Sequence, residues 1–233
     1  LVFFPNPTTA VNAVAKSLKL ESGDEVLSTS HIYGALDRSW KYICKEKNAR
    51  FVKANITFPG YSEDEFLKCF FSAVTDHTKV IFLSHITSMT AIKFPVEKVV
   101  DFAKNNNILS IIDGAHVPGH IPLDINKLDA DIYTGACHKW MCTPKGVSFL
   151  YVKKELQEDV HPLVISWGWE SERPGASKFL DWHEWQGTRD MSAFLTVPTA
   201  VNFLKEHNWP TVSRRCRKSA VRFRKKIIDY LNI

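Results

Sequence analysis

Leu-Ser-Ile-Ile-Asp-Gly-Ala-His (109–116) is the stretch that decides the fold. It reads as an apolar strand that ends on a carboxylate and turns at once. Val-Ile-Phe-Leu-Ser (80–84) has the same character. Neither run alternates apolar with polar, as expected of strands covered on both faces by helices.

Outward from these two strands, helix-like and strand-like segments alternate. Helices are expected over 9–20, 33–47, 62–74 and 95–105, and strands over 25–29, 50–56, 130–134 and 147–152. Ser62 with Glu65 three residues on has the form of a capping box. Pro95 suits the first turn of its helix. This order predicts an α/β sheet, mostly parallel, with right-handed crossovers. Past about residue 155 the periodicity fades. Residues 161–188 hold four tryptophans (167, 169, 182, 185) and read as an irregular segment crossing a surface or subunit interface. Two helices are expected after it, over 192–206 and 211–230.

In an open parallel sheet, ligands bind beyond the carboxyl ends of the strands. Asp113, Ser84-His85 and His138-Lys139 all fall at or after such ends, so one pocket is expected to gather them. Ala-Cys-His-Lys-Trp (136–140) carries a lysine between a histidine and a tryptophan, close after an apolar strand. Lost solvation in such a setting lowers a lysine pKa below about 10.4. Lysine and aspartate together are what pyridoxal phosphate requires. The amine captures the aldehyde as a Schiff base, and the carboxylate keeps a proton on the ring nitrogen. His116, three residues past Asp113, is within reach of the ring or its phenolic oxygen. Asn-Pro-Thr-Thr (6–9) precedes a helix, whose N-terminal N–H groups and threonine hydroxyls suit a phosphate. A plain threonine N-cap is the structural alternative. His31 or Tyr33, after the 25–29 strand, is positioned to lie over a ring.

Composition narrows the function classes. The 233 residues are 45% hydrophobic and 24% charged, an ordinary globular balance. No apolar run reaches the ~20 residues of a membrane span, and the N-terminus does not read as a signal peptide. The net charge is +5, but from Lys205 onward nine Lys/Arg face two Asp/Glu. Val212, Cys216, Ala220, Phe223, Ile227 and Leu231 recur there at steps of three and four. That pattern is an amphipathic helix with a solvated basic face rather than a nucleic-acid arm. The five cysteines form no CxxC pair, which points to reduced thiols and a cytoplasmic protein. His116 and His120 are spaced HxxxH, but Pro118 and Gly119 break the helix a zinc pair would use, so no metal is expected. Neither GxGxxG nor GxxxxGK[ST] occurs, against a nicotinamide or P-loop enzyme.

Taken in order, Pro-Asn-Pro-Thr-Thr-Ala-Val-Asn (5–12), His-Ile-Tyr-Gly-Ala-Leu-Asp (31–37), Leu-Ser-His-Ile-Thr-Ser (83–88), Ile-Asp-Gly-Ala-His-Val-Pro-Gly (112–119), Cys-His-Lys-Trp-Met-Cys-Thr-Pro-Lys-Gly (137–146) and Trp-Gln-Gly-Thr-Arg-Asp (185–190) resemble the class V aminotransferase family of fold-type-I pyridoxal phosphate enzymes. The flavour is similar to its isopenicillin N epimerase-like and cysteine desulfurase-like branches. The resemblance implies a large-domain sheet of the seven-stranded type. It would occupy residues 1–190, with its core ending near 155. Residues 191–233 would be helices leading to a small C-terminal domain largely absent from this sequence.

By the same resemblance, Lys139 would carry the Schiff base, Asp113 would pair with the ring nitrogen, and His116 would lie by the phenolic oxygen. His31 would stack on the ring, with Tyr33 the alternative. Thr8, Thr9 and His138 would bind phosphate, and Ser88 would face the substrate. Thr188 would reach the site of a neighbouring subunit, which makes a homodimer. The substrate would be an amino acid or a derivative of one.

Three departures stand out. Ala136 takes a position where relatives often carry Ser or Asn, and Met89 one where proline is common. The sequence also looks cut at both ends, without the usual opening strands. The substrate-carboxylate arginine is therefore unassigned, with Arg189 the nearby candidate. Epimerisation or C–S lysis is favoured over desulfuration and transamination. A catalytically inactive scaffold is the competing reading. Retention of Asp113, His116 and Lys139 argues against it, because such groups buried without a cofactor carry only a desolvation penalty.

Overall fold

The computed structural model describes residues 1–57 and 62–232. Its frame is one seven-stranded sheet: β1 (Val2–Phe4), β2 (Glu25–Thr29), β3 (Arg50–Ala54), β4 (Thr78–Ser84), β5 (Leu109–Asp113), β6 (Ile132–Ala136) and β7 (Ser148–Val152), in the order β1-β7-β6-β5-β4-β2-β3. Strands β3, β2, β4, β5 and β6 run parallel, while β7 is antiparallel to both β6 and β1. The mostly parallel α/β fold expected from the sequence is present.

Helices cover both faces, so the sheet has two cores. On one face α1 (Pro7–Ser17) and α2 (Gly34–Glu46) pack against Val26, Val80, Phe82, Ile111 and Ile132. Trp40 of α2 is fully buried there against Phe82, their rings 5.3 Å apart. On the other face α3 (Glu63–Phe71) and α4 (Val96–Asn105) cover Leu27, Ile81, Leu83, Ile112 and Tyr133. This alternation follows from the two-residue period of a strand. It also explains why β4 and β5 read as unbroken apolar runs.

Local chemistry sets the helix ends. Ser62 and Glu65 make the expected capping box on α3. Asn6 caps α1 by accepting from Thr9 N at 2.8 Å, so the cap is Asn6 and not a threonine. Pro95 is the N-cap of α4 rather than part of its first turn.

The sequence reading missed four elements, among them a short 3-10 helix over Lys154–Asp159, and joined two. Strand β1 is only three residues long, too short for periodicity. Its register is set by β7, with Val2 opposite Leu150. The four-residue α5 (Ile125–Leu128) also escaped. Within the segment read as irregular, α6 (Lys178–Glu184) forms, capped by Ser177. It is fixed by distant partners: Phe3 N donates to Glu184 Oε1 at 2.9 Å. The helix expected over 192–206 is two, α7 (Ser192–Leu195) and α8 (Val197–Glu206). Pro198 has no N–H to give the carbonyl four residues back, which interrupts the ladder. Last comes α9 (Trp209–Leu231), which buries none of its residues. Among the described residues no helix is long and apolar enough to cross a membrane.

Connections from β2 lead to β3 at one edge, whereas those from β4 lead to β5 on the other side. Adjacent strands whose connections part in this way leave a crevice at their carboxyl ends. Phe82→Ala, which removes a fully buried ring from the wall below that crevice, should lower stability by about 3–5 kcal/mol in urea denaturation.

Candidate active site

A cleft opens at the carboxyl ends of β2, β4, β5 and β6, on the α1 face of the sheet. The strand register builds it. Ser84 lies opposite Asp113 and Asp113 opposite Thr134, so β4 and β5 end level and β6 runs two residues further, to Ala136. The residues just past those ends, with the start of α1, form the walls.

Asp113, His116, Lys139, His138, Thr8 and Ser88 all line this cleft. The key contact joins the β5 and β6 loops: Lys139 Nζ lies 3.1 Å from His116 Nε2. Tyr33 lines the cleft as well. His31 is not among the lining residues. Its Nε2 donates to the Ile56 carbonyl at 2.8 Å. Thr9 is also outside the lining, with its backbone N–H and its hydroxyl both given to Asn6 Oδ1. Thr188 and Arg189 lie outside too. Thr188 is exposed, while Arg189 donates to the Glu184 carbonyl and sits over the Phe194 ring. Asn6, Ala115 and Ile86 line the cleft without having been singled out from the sequence. The Asn-Pro start of α1 was a legible signal for the first of them.

Asp113 is 5% exposed and forms no ion pair among the described residues. Its Oδ1 accepts from Ala115 N at 3.0 Å. Burial pushes its carboxyl above the usual carboxylate range, against the Ala115 N–H and the charge of Lys139. Burial also holds the Lys139 amine below an ordinary lysine value, with Asp113 opposing. The same cause, reinforced by Lys139 and His120, takes His116 down to about 4. At neutral pH the His116 ring is therefore uncharged, and the Lys139 ammonium donates to its Nε2. His138 Nδ1 donates to the Val147 carbonyl at 2.7 Å, which turns the other ring nitrogen away from that strand. Cys137 beside them is buried and pushed up to about 11, so it is a thiol and not a nucleophile at neutral pH.

The Asp113 turn is held from below. Tyr133 lies so close under Gly114 that a Cβ there would overlap its phenol. The Tyr133 hydroxyl meets His85 Nδ1 at 3.1 Å. Glycine at 114 is thus a packing requirement.

These donors fit pyridoxal phosphate. A buried carboxylate without a cation suits a protonated ring nitrogen, because an unpaired buried charge is otherwise costly. A partly desolvated amine suits an aldehyde. At the start of α1, Thr8 presents its hydroxyl and, by its place in the first turn, an N–H with no acceptor within the helix, which suits a phosphate. No group of three or more metal-ligating side chains occurs among the described residues.

Two titrations follow. In ¹H–¹⁵N spectra His116 should titrate near pH 4, and Lys139→Ala should move that midpoint upward by removing a neighbouring positive charge; an unmoved midpoint would leave burial as the whole cause. His85, His116 and His183 are all lowered to about 4. Their folded values lie below the unfolded value of about 6.5, so the unfolded state takes up protons first. Stability present above about pH 6.5 should therefore fall as pH drops toward 4, measurable as a lower urea midpoint.

The sequence profile of the aminotransferase class-V family matches residues 1–230. The chain is 28% identical over 239 residues to isopenicillin N epimerase of Streptomyces clavuligerus, covering 98% of this chain and 60% of that protein. It is 30% identical over 195 residues to putative L-cysteine desulfhydrase 1 of Oryza sativa subsp. japonica, covering 80% and 39%. In three dimensions it resembles the apo cysteine desulfurase of Thermococcus onnurineus NA1, with a TM-score of 0.81 at 18% identity over 99% of this chain and 57% of that one. The chain thus spans at most about 60% of the length of these proteins. With a profile match over nearly its whole length and a cleft whose donors suit that chemistry, the chain belongs to the class V aminotransferase family.

Proposed function

We propose that this chain is the large-domain part of a pyridoxal phosphate enzyme that removes the α-proton of an amino acid or a derivative of one, with an epimerase-like or C–S lyase-like outcome. The observation that carries the proposal is the 3.1 Å contact between Lys139 Nζ and His116 Nε2, in a cleft that also holds the buried Asp113 and the start of α1. Isopenicillin N epimerase and the L-cysteine desulfhydrase are relatives whose names mark two different outcomes, and loss of an α-proton is a first step from which both kinds of outcome can follow.

When bound, the cofactor supplies an electron sink for the pair left on the α-carbon. Lys139 would hold it through its aldehyde carbon, and the free Lys139 amine would take the α-proton on Nζ. Its lowered pKa favours the free amine that this requires. Asp113 would keep a proton on the ring nitrogen. His116, uncharged beside Lys139, would lie by the phenolic oxygen. Thr8 and His138 bind the phosphate, with Thr9 shaping the α1 start through Asn6. Tyr33, which lines the cleft, is the better stacking partner, and His31 supports the loop. Ser88 at the rim faces substrate. Thr188 and the exposed Trp167 belong to the face that meets a second copy, where Thr188 reaches the neighbouring site.

The purified protein with added pyridoxal phosphate should develop a visible band that borohydride removes, leaving the cofactor mass on the Lys139 peptide. Lys139→Ala should abolish the band and the activity while leaving circular dichroism unchanged. A labelled peptide elsewhere in the chain would refute the assignment. Asp113→Asn should slow exchange of the amino-acid α-proton into deuterated solvent by about 10²-fold or more, with a smaller change in cofactor affinity. In the same experiment an inverted product marks an epimerase, and a released sulfur fragment marks a C–S lyase.

A further inference from the structure

We propose that Trp209 and Ser213, on the first turns of α9, are positioning residues for Lys139. This rests on the reading of Lys139 as the cofactor-bearing lysine. The two side chains are four residues apart, on one face of the helix. Trp209 Nε1 donates to the Gly119 carbonyl at 2.5 Å, and Ser213 Oγ donates to the His120 carbonyl at 3.2 Å. Two consecutive carbonyls of the turn after β5 are thus held from the far end of the chain.

What that turn touches makes the contact more than a staple. The His120 ring stacks on Trp140, the residue after Lys139, with centroids 4.5 Å apart and planes 24° from parallel. His120 Nδ1 donates to the His116 carbonyl at 3.1 Å. Gly119, at φ +78°, lies so close to the Trp140 carbonyl that a Cβ would overlap it. Three contacts therefore tie the turn to His116 and to Trp140, the residue next to Lys139. His116 in turn meets Lys139 Nζ. Since α9 buries none of its residues, it adds little to the core. Its hydrogen bonds fall on the one loop that sets the spacing of His116 and Lys139. Through them, the position of α9 adjusts the reacting amine.

The test uses Trp209→Phe, which keeps a ring and removes the N–H, with Ser213→Ala and Ser213→Thr. The first readout is the rate at which the visible band forms on adding pyridoxal phosphate. The second is the His116 and His120 ring resonances before any cofactor is added. Trp209→Phe and Ser213→Ala should slow band formation by roughly three- to tenfold and shift both ring resonances, and Ser213→Thr should restore both. Variants that melt earlier but keep the wild-type rate and resonances would overturn the proposal, leaving α9 a simple brace. Should Trp209→Phe fail to fold, the Ser213 pair decides. If the wild type forms no band, the cofactor reading fails, and the ring resonances alone decide whether α9 positions the turn.

Discussion

The register of β4, β5 and β6 is the constraint on which everything else depends. Parallel pairing sets Ser84, Asp113 and Thr134 side by side, so the chain leaves the sheet at neighbouring points: Ser84, Asp113 and, two residues past Thr134, Ala136. Each exit turns over the same crevice. A slip of one residue in β5 would send Asp113 to the opposite face, beneath α3 and α4 beside Tyr133, and bring no carboxylate to the cleft. The apolar cores on both faces hold the register, because the apolar residues of β2, β4, β5 and β6 are divided between them.

That geometry explains the unusual electrostatics. Asp113 is buried, whereas Lys139 keeps an exposed side chain whose amine is only partly desolvated, and the lost solvation moves each toward its neutral form. Each also opposes the shift of the other. The pair is therefore poised rather than locked into an ion pair, a state maintained by rigid packing below. Gly114 against Tyr133, and Tyr133 against His85, fix the Asp113 turn from the far face of the sheet. Perturbed groups gathered in one cleft are a mark of functional sites.

Much of this was legible in the amino-acid order. Apolar runs marked β4 and β5, and strand 25–29 matches its expected bounds. Asp113, His116, His138 and Lys139 were singled out by falling after strand ends, and one cleft does gather them. The failures share a cause. Three-residue β1 and four-residue α5 are too short to carry a period, and α6 depends on a bond between Phe3 and Glu184, far apart in sequence. Thr9 looked like a phosphate ligand because hydroxyls at a helix start are ambiguous. Only coordinates reveal that Asn6 has taken it.

The sequence by itself determined the α/β class, the strand ends that carry chemistry and the residue types of the site, because periodicity and turn chemistry are local. The tertiary structure alone decided that Tyr33 rather than His31 lines the cleft, that Lys139 meets His116, and that α9 reaches the loop beside them through Trp209. Those are distances between residues remote in the chain. They are fixed by sheet order and helix packing, which no local pattern encodes.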